Sequence, residues 1–307
     1  MTRHLHPIRS IALLFCFLAP LACAGPNVSK PFPTPFEVIA HRGASAYAPE
    51  NTIVAFEMAR ELGAVDVELD IQLSRDDVVV LYHDATLREK TGRSGKVRDH
   101  DANDLLDMDI GSWFDRTHPE IETKHAGTRL CTLAAVFEAF GDTLYYHVEL
   151  KSGDEALAPL ALEQVRAYRL EANVRFTSFM FEQLVRAREV APDIPAGLLV
   201  GDAMTLRREA GAGPDVTTLS LQKKAIDHAK KAGFDQVGFA SEDLSPALVR
   251  YAVESGLEIR AWRIKSDADM HRAIDMGAFG MTTNWPDRLV RELLLRKRTR
   301  PERQRKA

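Results

Sequence analysis

The chain has 307 residues, 45% of them apolar and 27% charged, a balance that supports a large core and argues against a disordered chain. Its net charge of -4, with no recognisable binding motif, excludes nucleic acid as a partner. The apolar stretch at residues 11–21 is too short to span a bilayer comfortably, and no second hydrophobic segment of spanning length follows it.

In chain order, Arg3 and Arg9 precede that apolar stretch, which runs into Ala22-Cys23-Ala24. Basic, then apolar, then small residues is the order of a secretory signal peptide, so residues 1–24 are expected to be removed on export to the periplasm or medium. Cleavage after Ala24 leaves Cys131 as the only thiol and allows no intrachain disulfide. The competing expectation makes Cys23 the lipidated first residue of a lipoprotein, although Pro20 and Leu21 suit a lipobox poorly. A Pro-rich lead-in covers residues 25–35.

From residue 36 to 290 short apolar runs alternate with amphipathic helical patterns. Parallel strands are predicted near 37–40, 65–71, 144–150, 175–179, 196–200, 236–239, 258–264 and 279–282, and helices near 52–62, 133–140, 156–168, 181–190, 223–232, 245–255 and 268–276. Strand-then-helix repetition predicts an α/β fold with a parallel sheet, and eight such units predict a closed (β/α)8 barrel. The run 78–82 follows too soon for an intervening helix, which predicts a hairpin off the second strand turning at Arg75-Asp76-Asp77. Residues 85–129 are irregular and predict a small insertion over one barrel end. Residues 291–307 are strongly basic and predict a solvated, frayed tail, with weak contact to anionic lipid or envelope polymer as the functional alternative.

Barrel enzymes gather their chemistry at the carboxyl ends of strands. His41 ends the first predicted strand and Tyr82-His83-Asp84 the hairpin. Glu68 and Asp70, two residues apart, leave one face of the second strand and can converge on one cation. Glu149 and Lys151 end the strand at 144–150; on an edge they would be a surface ion pair, but in a buried parallel strand they need partners, which a shared cation supplies. Three carboxylates without a nearby cysteine suit Mg²⁺ or Ca²⁺ better than zinc. Taken singly, His41 and His83 read equally well as ordinary satisfied histidines, while His147 and Cys131 read as structural.

Three strings then act together: HRGASAYAPENT at 41–52, VELDIQLSRDDVVVLYHD at 67–84 and HVELK at 147–151. With the TSF at 177–179, the Trp262 strand and TTNWPDRL at 282–289, the chain resembles the glycerophosphodiester phosphodiesterase family from about Val38 to Val290. The resemblance implies a TIM barrel with a small insertion, a divalent cation, and hydrolysis of a small-molecule glycerophosphodiester to sn-glycerol 3-phosphate and an alcohol. It implies Glu68, Asp70 and Glu149 as metal ligands, His41 and His83 as the acid/base pair, and Arg42 and Lys151 as phosphate-binding residues. Glu50 and Trp262 are implied as supporting residues, with metal ligation and support of its neighbours both open for Glu50. Asn51 and Thr52 read as a turn and cap opening the next helix. The last motif departs from the family's common TD-x-P, placing Asn284 and Trp285 near the last strand.

Phospholipase D type activity on lysophospholipids or sphingomyelin is the alternative within the same chemistry, with Phe179, Met180, Phe181 and Trp113 as candidates for an apolar lip. A non-catalytic binding barrel is the rival of another class, and metal-assisted proton abstraction a third. Membrane contact is expected only through a lipidated Cys23 or the basic tail.

Overall fold

The structure, a computed structural model, describes residues 36–299, with side chains to residue 296. The expected signal peptide and lead-in, and the last residues of the tail, lie outside the described residues. One nine-stranded sheet contains β1 (Glu37–His41), β2 (Asp66–Leu73), β3 (Val79–Leu81), β4 (Tyr145–Leu150), β5 (Val174–Ser178), β6 (Ala196–Leu199), β7 (Gln236–Ala240), β8 (Glu258–Trp262) and β9 (Gly280–Thr283).

The wall of this sheet carries two chemistries. On β2, Val67, Leu69 and Ile71 are buried in the apolar core, while the alternating Asp66, Glu68 and Asp70 bury carboxyl groups. β4 repeats the pattern with Tyr146, Val148 and Leu150 against Tyr145, His147 and Glu149. Because side chains alternate, one face of each strand meets the helices and the other lines the barrel interior. Deep in the interior, cationic side chains meet partners. Arg175 lies 2.7 Å from Glu258 and 3.5 Å from Glu37, the ion pairing that buried charge requires, and Arg260 donates to His147 Nδ1 at 3.2 Å.

β1 pairs in parallel with both β2 and β9, so the sheet closes on itself through β4 to β8, with helices between successive parallel strands. This is the expected (β/α)8 barrel. Only β3 runs antiparallel, with Ile71 opposite Leu81, which is the expected hairpin. Among the described residues, no helix is long and apolar enough to cross a membrane.

Several boundaries differ from expectation for local reasons. The predicted strand at 258–264 stops at Trp262 because Arg263 adopts φ 57. The strand at 175–179 stops at Ser178, whose hydroxyl donates to the Leu150 carbonyl at 2.8 Å and accepts from Met180 N–H at 3.0 Å. Phe179 therefore belongs to the rim. The helix Ala203–Glu209 was not expected; it is capped by Asp202 and contains no buried residue, so it has no apolar stripe to read. The insertion is less irregular than its sequence, with short helices and its own core of Tyr82, Leu87, Val97, Leu105, Met108 and Ile110 beside the main one. The tail expected to fray from residue 291 is instead helical to 299, within Pro286–Thr299. Leu289 and Leu293, four residues apart, are buried, and Arg296 pairs with Glu292 at 2.6 Å and with Asp275.

Candidate active site

The HRG string is a tight reversal at the mouth of the barrel. After His41 the chain takes two left-handed residues, Arg42 at φ 55 and Gly43 at φ 83. A Cβ on Gly43 would stand 2.6 Å from the Ala55 carbonyl carbon, so glycine is required. The Arg42 conformation costs roughly 1–2 kcal/mol, and the turn directs its N–H to Glu68 Oε2 at 3.0 Å. The Arg42 guanidinium lies 3.1 Å from Asp70 and donates to both Glu50 oxygens at 3.0 Å. Farther along, Thr52 caps the helix Ile53–Glu61, accepting from Ala55 N–H at 3.2 Å. Asn51 does more than open that helix: its amide donates to Asp70 Oδ2 at 2.8 Å and accepts from Asp70 N–H at 3.1 Å.

Glu68, Asp70 and Glu149 converge as expected, each offering a ligand oxygen within 4.8 Å of the others. Asp70 and Glu149 are register partners on adjacent strands. Burial, reinforced by repulsion from Asp70 and Glu149, holds Glu68 well above the ordinary carboxylate range. Glu149 is raised by burial and by Asp70, although Lys151 lies 2.9 Å away. Asp70 goes the other way: burial opposes its charge, but Arg42 and Lys151 outweigh it and hold the carboxyl low. Glu68 Oε1 and Asp70 Oδ1 are buried without a hydrogen-bond partner. Clustered, donor-starved carboxylate oxygens fit a hard divalent cation. Glu50 stands apart from this trio; burial would raise it, but Arg42 and Lys90 hold it below its usual value.

The two histidines flank the same cavity. His41 Nδ1 lies 2.6 Å from Asn284 Oδ1, and its Nε2 lies 3.9 Å from Glu68 Oε2. Burial, then the neighbouring Arg42, holds His41 below its ordinary value, yet 31% of the side chain is exposed, enough for proton exchange. His83 Nδ1 donates to Asp84 Oδ1 at 2.7 Å. Burial opposes the Asp84 charge, but bonds to His83 and Lys90 lower its pKa to about 2. Tying each Nδ1 to an acceptor leaves both Nε2 atoms available.

Asn284 was legible only as a departure from TD-x-P. Its signal was position: it directly follows β9, where strand ends meet. Asn284→Ala is expected to lower kcat by about 10- to 10²-fold by freeing the His41 ring, with Asn284→Asp restoring part of it. Equal kcat in Asn284→Ala and the wild type, measured at saturating substrate, would remove Asn284 from this role.

The cavity has a volume of about 440 Å³, within the range of small-ligand pockets. Of the expected lip residues only Phe179 lines it. Trp113 lies over Lys90 at 5.2 Å, and Phe181 packs on Phe234 at 5.3 Å. Trp262 lines the cavity and meets Phe179 edge-on at 5.3 Å; its indole Nε1 is buried without a hydrogen-bond partner. His147 sits deeper, 3.7 Å from Asp66. Cys131 is packed, its thiol pushed up to about 12 by burial.

Fold and site together define a (β/α)8 barrel of the enzyme kind, with histidines, carboxyls and cationic side chains gathered at the carboxyl ends of its strands. Residues 41–288 match the model of the glycerophosphoryl diester phosphodiesterase family, and the chain belongs to that family of phosphoric diester hydrolases. It is 30% identical over 289 residues to a glycerophosphodiester phosphodiesterase of Bacillus subtilis, covering 91% of this chain and 94% of that one. It is 32% identical over 263 residues to one from Caldanaerobacter subterraneus, covering 82% and 96%. An Oleispira antarctica phosphodiesterase, solved with the product sn-glycerol-3-phosphate, shares the fold at TM-score 0.70 and 22% identity, over 84% of this chain and 96% of that one.

Proposed function

We propose that this enzyme hydrolyses glycerophosphodiesters to sn-glycerol 3-phosphate and an alcohol, with Ca²⁺ or Mg²⁺ held by Glu68, Asp70 and Glu149 and with His41 and His83 as acid and base. The observation that carries this is the meeting, at one cavity, of the three-carboxylate cluster, with Glu68 Oε1 and Asp70 Oδ1 lacking hydrogen-bond partners, and two histidines whose rings are fixed through Nδ1. When bound, the cation supplies positive charge to the phosphate oxygens. Arg42, fixed between Glu50 and Asp70, and Lys151, beside Glu149, offer N–H donors to the non-bridging oxygens and hold the charge that builds on them during attack. One imidazole Nε2 takes a proton from the attacking hydroxyl while the other gives one to the departing alkoxide. The product bound to the Oleispira relative and the names of the Bacillus and Caldanaerobacter relatives support this substrate class.

The test is product identity: glycerophosphocholine should release choline and glycerol 3-phosphate. Release of phosphocholine and glycerol would overturn the reading. Phospholipase D type action is favoured by one observation, the exposure of Phe179 (42%) and Met180 (40%) at the rim. Faster turnover of lysophosphatidylcholine than of glycerophosphocholine would select it. Export as a soluble protein is proposed on the residue order at 1–24, to be checked by the N-terminus of the mature protein.

A further inference from the structure

Lys90 lies in the insertion, on the short helix Arg88–Thr91, between exposed Glu89 and half-buried Thr91. Unlike an ordinary surface lysine it is 5% exposed, with its ammonium 5.5 Å from the Tyr82 ring and 5.2 Å from the Trp113 ring. Nζ donates to Glu50 Oε1 at 2.6 Å and lies 2.9 Å from Asp84 Oδ2. Each carboxylate has a second commitment. Glu50 holds the Arg42 guanidinium at 3.0 Å with both oxygens, and Asp84 holds His83 Nδ1 at 2.7 Å.

We propose that Lys90 is a positioning residue, a clamp by which the insertion holds the phosphate-facing arm (Glu50–Arg42) and the acid/base arm (Asp84–His83) in one geometry. The proposal rests on the functional reading of Arg42 and His83 given above. The physical case lies in what the cluster does without its ammonium. Glu50, His83 and Asp84 present ligand atoms within 4.8 Å of one another, so removing the charge between two carboxylates leaves them repelling in a poorly solvated space. Asp84 is the more exposed of the two, 24% against 13%, and is the one free to swing outward, releasing His83 Nδ1 and the ring orientation with it. Tyr82 and Trp113 fix the ammonium from the remaining sides and keep water from replacing it. A methionine in that slot keeps the apolar packing and removes only the charge.

The test uses the full chain. Lys90→Met should fold, lower kcat by about 10- to 10²-fold and raise KM, while Lys90→Arg restores a substantial part of both. Nitrogen-15 NMR of the metal-free protein, without substrate, should show His83 as a single Nδ1–H tautomer in the wild type and Lys90→Arg, and as a tautomer mixture in Lys90→Met. Lys90→Gln, read in the same way, serves if Lys90→Met fails to fold. Wild-type kcat in Lys90→Met, or lost activity with the His83 signature unchanged, would overturn the clamp. The ring signature is read without turnover, so a wild type inactive on diesters counts against the functional reading and leaves this test standing.

Discussion

His41→Ala and His83→Ala are each expected to lower turnover by about 10²-fold or more, the usual loss when an acid/base group is removed, with thermal unfolding close to the wild type. Each side chain is 31% exposed and stands at the barrel mouth, outside the apolar core. Truncation therefore removes a ring and one Nδ1 hydrogen bond without opening a core cavity. Because the two groups would move protons in one reaction cycle, the double variant should lose far less than the product of the single losses. Steady-state kcat beside a melting curve checks this. Near-full activity in either single variant removes that histidine from the mechanism.

Glu68→Gln is expected to give effects of opposite sign on stability and on cation binding. In the metal-free protein Glu68 is raised by burial and by repulsion from Asp70 and Glu149, so folding favours its protonated form. A carboxyl with a raised folded pKa binds more protons folded than unfolded, and its contribution to stability is lost as pH rises above the ordinary value of 4.5. The glutamine keeps the shape without the charge. Metal-free Glu68→Gln should therefore melt at or above the wild type, with the difference growing toward alkaline pH. Its affinity for Ca²⁺ or Mg²⁺ should fall by at least about 10²-fold, since loss of a direct ligand exceeds the range seen for groups that only orient one. Calorimetric titration with each cation and melting curves across pH measure both halves. Unchanged affinity would remove Glu68 from the ligand set. A stability gained by removing a site residue is the usual mark of strain kept for function.

The barrel was legible because strand and helix periods differ and alternate through residues 36–290 outside the hairpin and the irregular 85–129, and the hairpin because 78–82 leaves no space for a helix. The carboxylate trio was legible because i, i+2 spacing on a strand fixes a common face, and register then aligned Asp70 with Glu149. Contacts across long sequence distances carry no such period. The Asn284 bond to His41 spans 243 residues and the Lys90 bond to Glu50 spans 40, so the departure at Asn284 named no partner and Lys90 read as one charge in a polar stretch. Glu50 was left open between ligand and support, since a glutamate in a turn can face either way; in the fold its oxygens accept from Arg42 and Lys90. The terminal helix was hidden by its charge, because Leu289 and Leu293 mark a narrow buried stripe among basic residues.

Cation-dependent release of glycerol 3-phosphate is the reaction proposed for this carboxylate site. The most direct measurement follows that product from glycerophosphocholine after EDTA treatment and after adding back Ca²⁺ or Mg²⁺, with Glu68→Gln in parallel. Turnover lost on chelation, restored by one of the cations in the wild type and restored far less in Glu68→Gln at the same cation concentration is the expected result. Full turnover in EDTA, or equal restoration of the variant, would contradict it.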